Sequence, residues 1–170
     1  MLKHGASHWH LVDTNVIIEC WRVGAWKALA GGYQVETVET CFIETQTGAQ
    51  RRRPEQQIDP EILKTTVKHR HPVSQEQLAI ALTHDPEIAF LDAGEKDLWA
   101  HAMSRTDAWV LCGPDKASLR IGIRLGLRDR LVSLERFLDN VGYRKVDLRL
   151  PYTQKWLEQT LAELAQREKK

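Results

Sequence analysis

The chain has 170 residues and nearly balanced charge, with 24 Lys and Arg against 23 Asp and Glu for a formal net charge of +1. This length fits one domain that buries roughly 70% of its unfolded surface. The weak net charge excludes whole-molecule attraction to nucleic acid, so any such affinity must come from local basic patches. No apolar run is long enough to span a membrane, and no secretion signal is visible, which predicts no membrane partner.

The three cysteines, Cys20, Cys41 and Cys112, are odd in number and form no CxxC pair. This pattern indicates neither a disulfide framework nor a zinc knuckle. It predicts a protein of the reducing cytoplasm.

The predicted elements follow a polar N-terminal arm at residues 1–9. A main domain covers 10–140, with a helical insertion at about 48–87, and a C-terminal extension with a helix covers 141–170. Apolar or alternating runs predict strands at 10–12, 33–38, 88–91, 109–112 and 130–134. Helical spacing and stop signals predict helices at 16–29, 39–46, 60–69, 74–83, 95–105, 116–125 and 135–140. The repeated strand–helix units predict an α/β fold, a three-layer α/β/α sandwich around a mostly parallel sheet of four to five strands.

A last predicted helix begins near residue 153 and carries an apolar stripe. Leu157, Leu161 and Leu164 recur at i, i+4 and i+7 in this segment. Such a stripe must be buried, because each large apolar side chain left in water forgoes roughly 1.5 to 3 kcal/mol. It can pack on the chain's own core or against a second copy or partner protein, so a homodimer is one expectation.

Acidic residues follow several predicted strands directly or lie early in the next helix. Asp13 follows the first strand, Asp115 follows the strand at 109–112, and Glu44 lies in the second helix. Glu95 and Asp97 begin the helix before Asp115. In a parallel sheet the carboxyl ends of the strands share one rim, where ligands bind. We therefore expect these carboxylates to lie near one another.

A rim of carboxylates predicts a bound cation. Carboxylates in close proximity raise one another's pKa unless a positive charge lies between them. Oxygen ligands favour Mg²⁺ or Mn²⁺ over zinc, and such an ion activates water for attack on a phosphodiester. Thr14 and Asn15 have short polar side chains that bond locally, so we expect them to orient Asp13.

Taken singly, the same acids have ordinary explanations. Asp13 and Asp115 are also typical of helix N-caps. Glu44 is also typical of a solvated helix residue, and Glu95 of a first-turn partner for the helix dipole. Only their joint placement on one predicted rim favours a site.

Basic residues at helical spacing are candidate contacts for RNA phosphates. Lys116, Arg120 and Arg124 recur at i, i+4 and i+8 on one predicted helix face, and Arg51 and Arg52 follow the second helix. Phosphate contacts of this kind give affinity without sequence preference. A solvated surface explains the pattern equally well, so both interpretations stay open at this point.

The ordered motifs resemble those of the PIN-domain nucleases. The matching segments are Leu11-Val12-Asp13-Thr14-Asn15-Val16-Ile17, Glu44, Gly94-Glu95-Lys96-Asp97-Leu98 and Val110-Leu111-Cys112-Gly113-Pro114-Asp115. The resemblance spans about residues 9–134 and implies a Mg²⁺-dependent endoribonuclease. It implies four catalytic residues, Asp13, Glu44, Asp97 and Asp115, with Asp13, Asp97, Asp115 and Glu95 as the candidate metal ligands. In bacteria many similar single-domain proteins are toxins of toxin–antitoxin pairs, which implies an antitoxin partner.

Two points stay open within this resemblance. Glu95 and Asp97 point to opposite sides of a helix, and we favour Asp97 because Glu95 shares a face with Leu98 and Trp99, although both acids can serve in related sequences. Many PIN domains carry Thr or Ser shortly before the last Asp, where this chain has Cys112-Gly113-Pro114. That departure motivates a second hypothesis, a non-catalytic RNA-binding or protein-interaction module with the same fold.

Overall fold

A parallel β-sheet forms the centre of the protein in a computed structural model that describes residues 9–48, 52–144 and 146–169. Within these residues the strands are β1 (Trp9–Val12), β2 (Gln34–Val38), β3 (His69–His71) and β4 (Trp109–Cys112). All their pairings are parallel, in the order β3-β2-β1-β4. The chain therefore reverses its direction of progress across the sheet between β1 and β4. Such a switch point opens a crevice outside the carboxyl ends of the two strands.

Helices cover both faces of the sheet. They are α1 (Thr14–Arg22), α2 (Trp26–Gly32), α3 (Glu39–Gln46), α4 (Pro60–Thr66), α5 (Gln75–His84), α6 (Ala93–Met103), α7 (Lys116–Arg124), α8 (Leu134–Asn140) and α9 (Gln154–Arg167). Alternate strand residues point to opposite faces, so Val12 and Val110 join one core while Leu11 and Leu111 join the other. The predicted α/β fold class, with a three-layer arrangement and a parallel sheet of four strands, is confirmed.

The helix predicted at 16–29 is two helices. It breaks at Gly24, which adopts a left-handed φ of +71° between α1 and α2. Glycine adopts this conformation without a steric penalty, so the break needs no other residue. The segment ends at the glycine pair Gly31-Gly32, because α2 ends at Gly32.

The predicted helical insertion contains the strand β3. The helix predicted at 60–69 ends at Thr66, and residues 69–71 pair with β2 along the register Glu36–His69 to Val38–His71. A proline follows at position 72, and the residue before a proline is disfavoured in the helical region. The helix predicted at 74–83 is confirmed as α5, and Ser74 and Gln77 exchange hydrogen bonds in a capping box at its start.

Two predicted strands are wrong. Residues 88–91 were expected as a strand but fall within and just after a 3₁₀ turn, Pro86–Phe90, in which Ile88 alone is buried. At 130–134 the pairing reduces to one bridge between Leu131 and Leu111. Ser133 then accepts a hydrogen bond from the Arg136 amide and starts α8, so the extended run is too short to form a strand.

The apolar stripe of α9 packs within the chain. Leu157, Leu161 and Leu164 are each at most 6% exposed and join the core that α7 also lines. The expectation of a homodimer through this stripe is therefore not supported, because its apolar side chains are already covered. The segment before α9 is held on α1, where the Arg149 amide donates to Glu19 Oε1 at 2.8 Å.

Among the helices that the structure describes, none has the length and apolar character needed to cross a bilayer. The predicted N-terminal arm, residues 1–9, lies outside the described residues apart from Trp9, which begins β1.

Candidate metal centre

Two aspartates flank the crevice at the switch point of the sheet. Asp13 follows β1 and accepts a hydrogen bond from the Asn15 amide at 3.0 Å, which caps α1. Asp115 follows β4 closely and caps α7, accepting from the Ser118 amide at 3.0 Å. Both aspartates are thus helix caps, as the simpler interpretation predicted. A cap does not exclude a ligand role, because an ionised carboxylate offers about four acceptor positions.

Glu44 is fixed between α1 and α6 by bonds to both of its oxygens. The Thr14 hydroxyl donates to Glu44 Oε2 at 2.6 Å, and the Gly94 amide donates to Glu44 Oε1 at 3.1 Å. A Cβ atom at position 94 would lie only 2.6 Å from Glu44 Oε2, so this approach requires glycine. The Thr14 hydroxyl therefore orients Glu44, whereas we expected it to orient Asp13. The backbone amides of Thr14 and Asn15 do support Asp13.

Glu95 lies in the first turn of α6 and is buried beside the two aspartates. Burial raises its pKa to about 8, and the charges of Asp115, Asp13 and Asp92 add to the effect. Burial likewise raises the pKa of Asp13 to about 6, with smaller contributions from Glu44 and Asp115. Asp13 is 3% exposed and Glu95 is 7% exposed. We call Asp13, Glu44, Glu95 and Asp115 the acidic cluster, because each lies close enough to at least one of the others to interact with its charge.

Asp97 is held outside the acidic cluster. Its carboxylate accepts a hydrogen bond from the Thr40 hydroxyl, and the largest charge contributions to the raised pKa of Asp13 and Glu95 come from other carboxylates. The geometry therefore favours Glu95 over Asp97, the reverse of our expectation. Glu95 does share a helix face with Leu98 and Trp99, as we expected. That face of α6 packs on the core and, at its N-terminal end, also lies beside Asp13 and Asp115.

The acidic cluster has no cationic partner among the described residues. Every ion pair within the described ranges joins other groups. Burying negative charge without compensation is costly, so such carboxylates either hold a proton or bind a cation. An all-oxygen donor set fits Mg²⁺ or Mn²⁺, whereas zinc prefers nitrogen and sulfur.

The basic helix face predicted to contact RNA is largely paired inside the molecule. Arg124 bonds Asp85 at 2.6 Å and Glu168 at 3.1 Å, and Arg120 bonds Glu87 at 2.7 Å as well as Glu168. Lys116 is exposed and, in the part of the chain described, forms no ion pair. These contacts contradict the expectation that the whole stripe is free to bind phosphates.

The second predicted basic group is also used structurally. Arg52 donates to the carbonyl oxygens of Glu44 at 2.9 Å and Thr47 at 3.0 Å, and also to that of Thr45. It therefore caps the C-terminus of α3, where four backbone carbonyls lack helical partners. Arg51, predicted beside it, lies outside the described residues.

A second polar group, which sequence reasoning missed, lies under α6 on the face of the sheet. We call it the Glu36 cluster and define it as Glu36, His71, His101 and Arg105. His71 Nε2 lies 3.0 Å from Glu36 Oε1, and Arg105 Nη1 lies 2.5 Å from Glu36 Oε2. The two imidazole rings stack with their centroids 3.9 Å apart. Burial, helped by His71 and Arg105, lowers the pKa of His101 to about 4 and keeps its ring neutral.

These residues come from two strands, a helix and the segment after that helix, so no short motif connects them. The one local signal is the alternation His69-Arg70-His71, which places both histidines on one face of a strand. That signal was missed because the predicted helix ran to residue 69 and no strand was expected in the insertion at about 48–87.

Comparison of the chain with models of known protein families, with curated proteins and with solved structures finds no match in any of the three. The resemblance to PIN-domain nucleases therefore stays a prediction made from the sequence motifs, and the geometry of the acidic cluster is the basis for proposing a function.

Proposed function

We propose that this protein is a Mg²⁺- or Mn²⁺-dependent endoribonuclease of the PIN type. The observation that carries the proposal is the acidic cluster: four carboxylates from separate elements lie near the switch point of a parallel sheet, two of them have a raised pKa, and none has a cationic partner among the described residues. Ligand sites in open α/β sheets occur at such points. Groups with perturbed pKa values also concentrate at functional sites.

In this proposal Asp13, Glu95 and Asp115 would hold the metal ion. Their side chains would move together around it, because among the described residues only Glu36, His71 and His101 already lie within ligand distance of one another. A bound Mg²⁺ ion would supply an activated water and compensate the charge that develops on a phosphodiester. Glu44 is kept in a fixed rotamer by Thr14 and Gly94, so it can accept a proton from water without reorientation. Burial of Asp13 keeps bulk water away from its carboxylate, which strengthens electrostatic interactions in the site.

RNA is the substrate class that the resemblance implies. Lys116 lies next to Asp115, at the first position of α7, and is exposed, so it can contact a phosphate near the cluster. An antitoxin partner and a location in the cytoplasm also belong to this proposal, and both rest on the family analogy and composition alone.

A non-catalytic module with the same fold is the second candidate. The observation that favours it is the internal pairing of Arg120 and Arg124, which leaves few described cations for binding a nucleic-acid backbone near the cluster. Gly113 also lies beside Asp13, since a Cβ atom at position 113 would lie 3.4 Å from Asp13 Cβ. It supplies no hydroxyl group in the segment where many PIN domains carry Thr or Ser. Such a module would bind divalent metal but would not cleave RNA.

The decisive test compares Asp13→Asn with the unmodified protein on a mixed-sequence RNA pool, with Mg²⁺ and with a chelator. We expect Mg²⁺-dependent cleavage to fall by more than about a hundredfold, because even residues that only support metal ligands change activity by 10- to 100-fold. Asp139→Asn, an exposed carboxylate on α8, is the matched control and should cleave normally. Equal cleavage by the Asp13→Asn variant and the unmodified protein would reject the nuclease. Metal binding with no cleavage by the unmodified protein would favour the module.

A further inference from the structure

The Glu36 cluster has the donor set of a transition-metal site. One carboxylate oxygen of Glu36 and one ring nitrogen each of His71 and His101 all lie within 4.8 Å of one another. Glu36 is 1% exposed and His101 is 8% exposed, whereas the His71 side chain is 26% exposed. The group is thus buried on two sides and reachable from the third, along the edge strand β3.

We propose that Glu36, His71 and His101 bind a first-row transition-metal ion, with Zn²⁺ the best match. Two imidazoles and one carboxylate form a common ligand set for zinc, whereas Mg²⁺ takes oxygen ligands almost exclusively. Three protein ligands would leave one position of a tetrahedral ion open. This site is separate from the acidic cluster in both position and ligand chemistry, so it does not rest on the proposed nuclease function.

Arg105 occupies the position of the cation in the structure. Its Nη1 lies 2.5 Å from Glu36 Oε2 and 3.2 Å from His101 Nε2, so a metal ion would have to displace it. After displacement the guanidinium would keep a partner, because Arg105 also donates hydrogen bonds to both carboxylate oxygens of Asp107, at 2.7 and 2.6 Å. Arg105 therefore competes with the metal without blocking it.

The two rings must also change their relative orientation. They stack at an interplanar angle of 17°, so their in-plane lone pairs run nearly parallel and do not converge on one point. His71 is the ring with room to turn, because it is partly exposed and lies on a three-residue edge strand. Metal binding would then join β2, β3 and α6 and should raise the melting temperature.

The experiment is calorimetric titration of the full chain with Zn²⁺ in the presence of excess Mg²⁺, which saturates oxygen-only sites. We expect one Zn²⁺ per chain and a higher melting temperature. His71→Ala should weaken binding by at least about a hundredfold, since loss of a direct ligand exceeds the 10- to 100-fold effect of a supporting residue. Co²⁺ should give the visible absorption of a nitrogen- and oxygen-ligated ion, and this signal should disappear in the same variant.

Two control variants make the result specific. His69→Ala removes an exposed histidine from the same strand that lies outside the ligand group, so it should bind Zn²⁺ normally. Asp13→Asn should also bind Zn²⁺ normally, which separates this site from the acidic cluster. The proposal is overturned if Zn²⁺ does not bind saturably, if His71→Ala binds as tightly as the unmodified protein, or if Asp13→Asn abolishes binding. A failure of RNA cleavage would leave these outcomes unchanged.

Discussion

The acidic cluster and the Glu36 cluster both bury carboxylates against the same parallel sheet, but they balance the charge differently. Glu36 accepts hydrogen bonds from Arg105 and His71, so the chain itself supplies the cation. Asp13 accepts from backbone amides and faces other carboxylates, so within the described residues its charge is not neutralised. The negative charge of the Glu36 cluster is neutralised within the chain, whereas that of the acidic cluster requires a proton or an external ion.

The positions of the two clusters explain this difference. Glu36 points to the face of the sheet, under α6, where an uncompensated charge would only weaken packing. Asp13 follows a strand at the crevice of the switch point, where ligands can enter. Removing a charged group should therefore have opposite effects on stability in the two regions.

The largest effect is expected for Arg105→Gln in the Glu36 cluster. This change leaves Glu36 buried without its cation, and breaking such a pair costs about 3 to 5 kcal/mol of unfolding free energy. Urea denaturation of the metal-free protein measures it. Arg128→Gln, an exposed arginine after α7, is the matched control and should change stability by less than about 0.5 kcal/mol. A small loss of unfolding free energy for Arg105→Gln would mean that Arg105 does not neutralise the charge of Glu36.

Asp13→Asn, in contrast, should raise the unfolding free energy of the metal-free protein relative to the unmodified protein as the pH rises. Folding raises the pKa of Asp13 from 3.8 to about 6, so the folded state holds a proton that the unfolded state releases. The stability from this group is complete below pH 4 and is lost as the pH rises through about 6, by about 3 kcal/mol. The asparagine variant has no such loss, so its advantage over the unmodified protein should grow between pH 4 and pH 8.

Urea denaturation at several pH values follows this difference, and Mg²⁺ should reverse it. The ion binds the folded unmodified protein and restores stability by mass action, whereas the variant should gain little. Asp139→Asn should run parallel to the unmodified protein at every pH. A difference between Asp13→Asn and the unmodified protein that does not change with pH would show that Asp13 is an ordinary ionised cap.

Gly94→Ala should disturb the acidic cluster through packing alone. The new methyl group would lie 2.6 Å from Glu44 Oε2 and 2.9 Å from Cys41 Sγ, so Glu44 must move away from the Gly94 amide. We expect a loss of about 1 to 3 kcal/mol, typical of overpacking, together with weaker Mg²⁺ binding. Gly31→Ala is the control, because it meets nothing within 4 Å and lies in α2. It should stabilise the protein by about 0.5 to 1 kcal/mol, and a similar gain at position 94 would contradict the tight contact.

The two regions also differ in how far the sequence could predict them. The acidic cluster was largely predictable, because Asp13 and Asp115 each follow a buried strand and parallel strands end on the same rim. The strands β1, β2 and β4 had clear apolar or alternating runs. The contact of the Thr14 hydroxyl and the choice between Glu95 and Asp97 could not be predicted, because they depend on how α1, α3 and α6 pack together and not on local spacing.

The Glu36 cluster could not be predicted, because its members are far apart in the chain. Its location depends on β3, whose three residues are polar and carry no apolar alternation. Pairing with β2 decides that segment's conformation, and pairing is a tertiary effect. The prediction that the basic helix face contacts RNA was wrong for a similar reason. Arg124 is neutralised by Asp85 and Glu168, which lie 39 and 44 residues from it in the chain.

The smallest expected effect, and the most discriminating one for the acidic cluster, compares Glu95→Gln with Asp97→Asn. Glu95 is buried beside Asp13 and Asp115, whereas Asp97 is occupied by the Thr40 hydroxyl. Titration with Mg²⁺ should therefore show weaker binding for Glu95→Gln, by about tenfold or about 1.4 kcal/mol, and little change for Asp97→Asn. The stability of the metal-free protein adds a second readout. Above its raised pKa of about 8, Glu95 carries a repelling charge that Glu95→Gln removes, whereas Asp97→Asn weakens a hydrogen bond. A larger loss of Mg²⁺ affinity in Asp97→Asn would return Asp97 to the metal site and mean that α6 rotates when the ion binds.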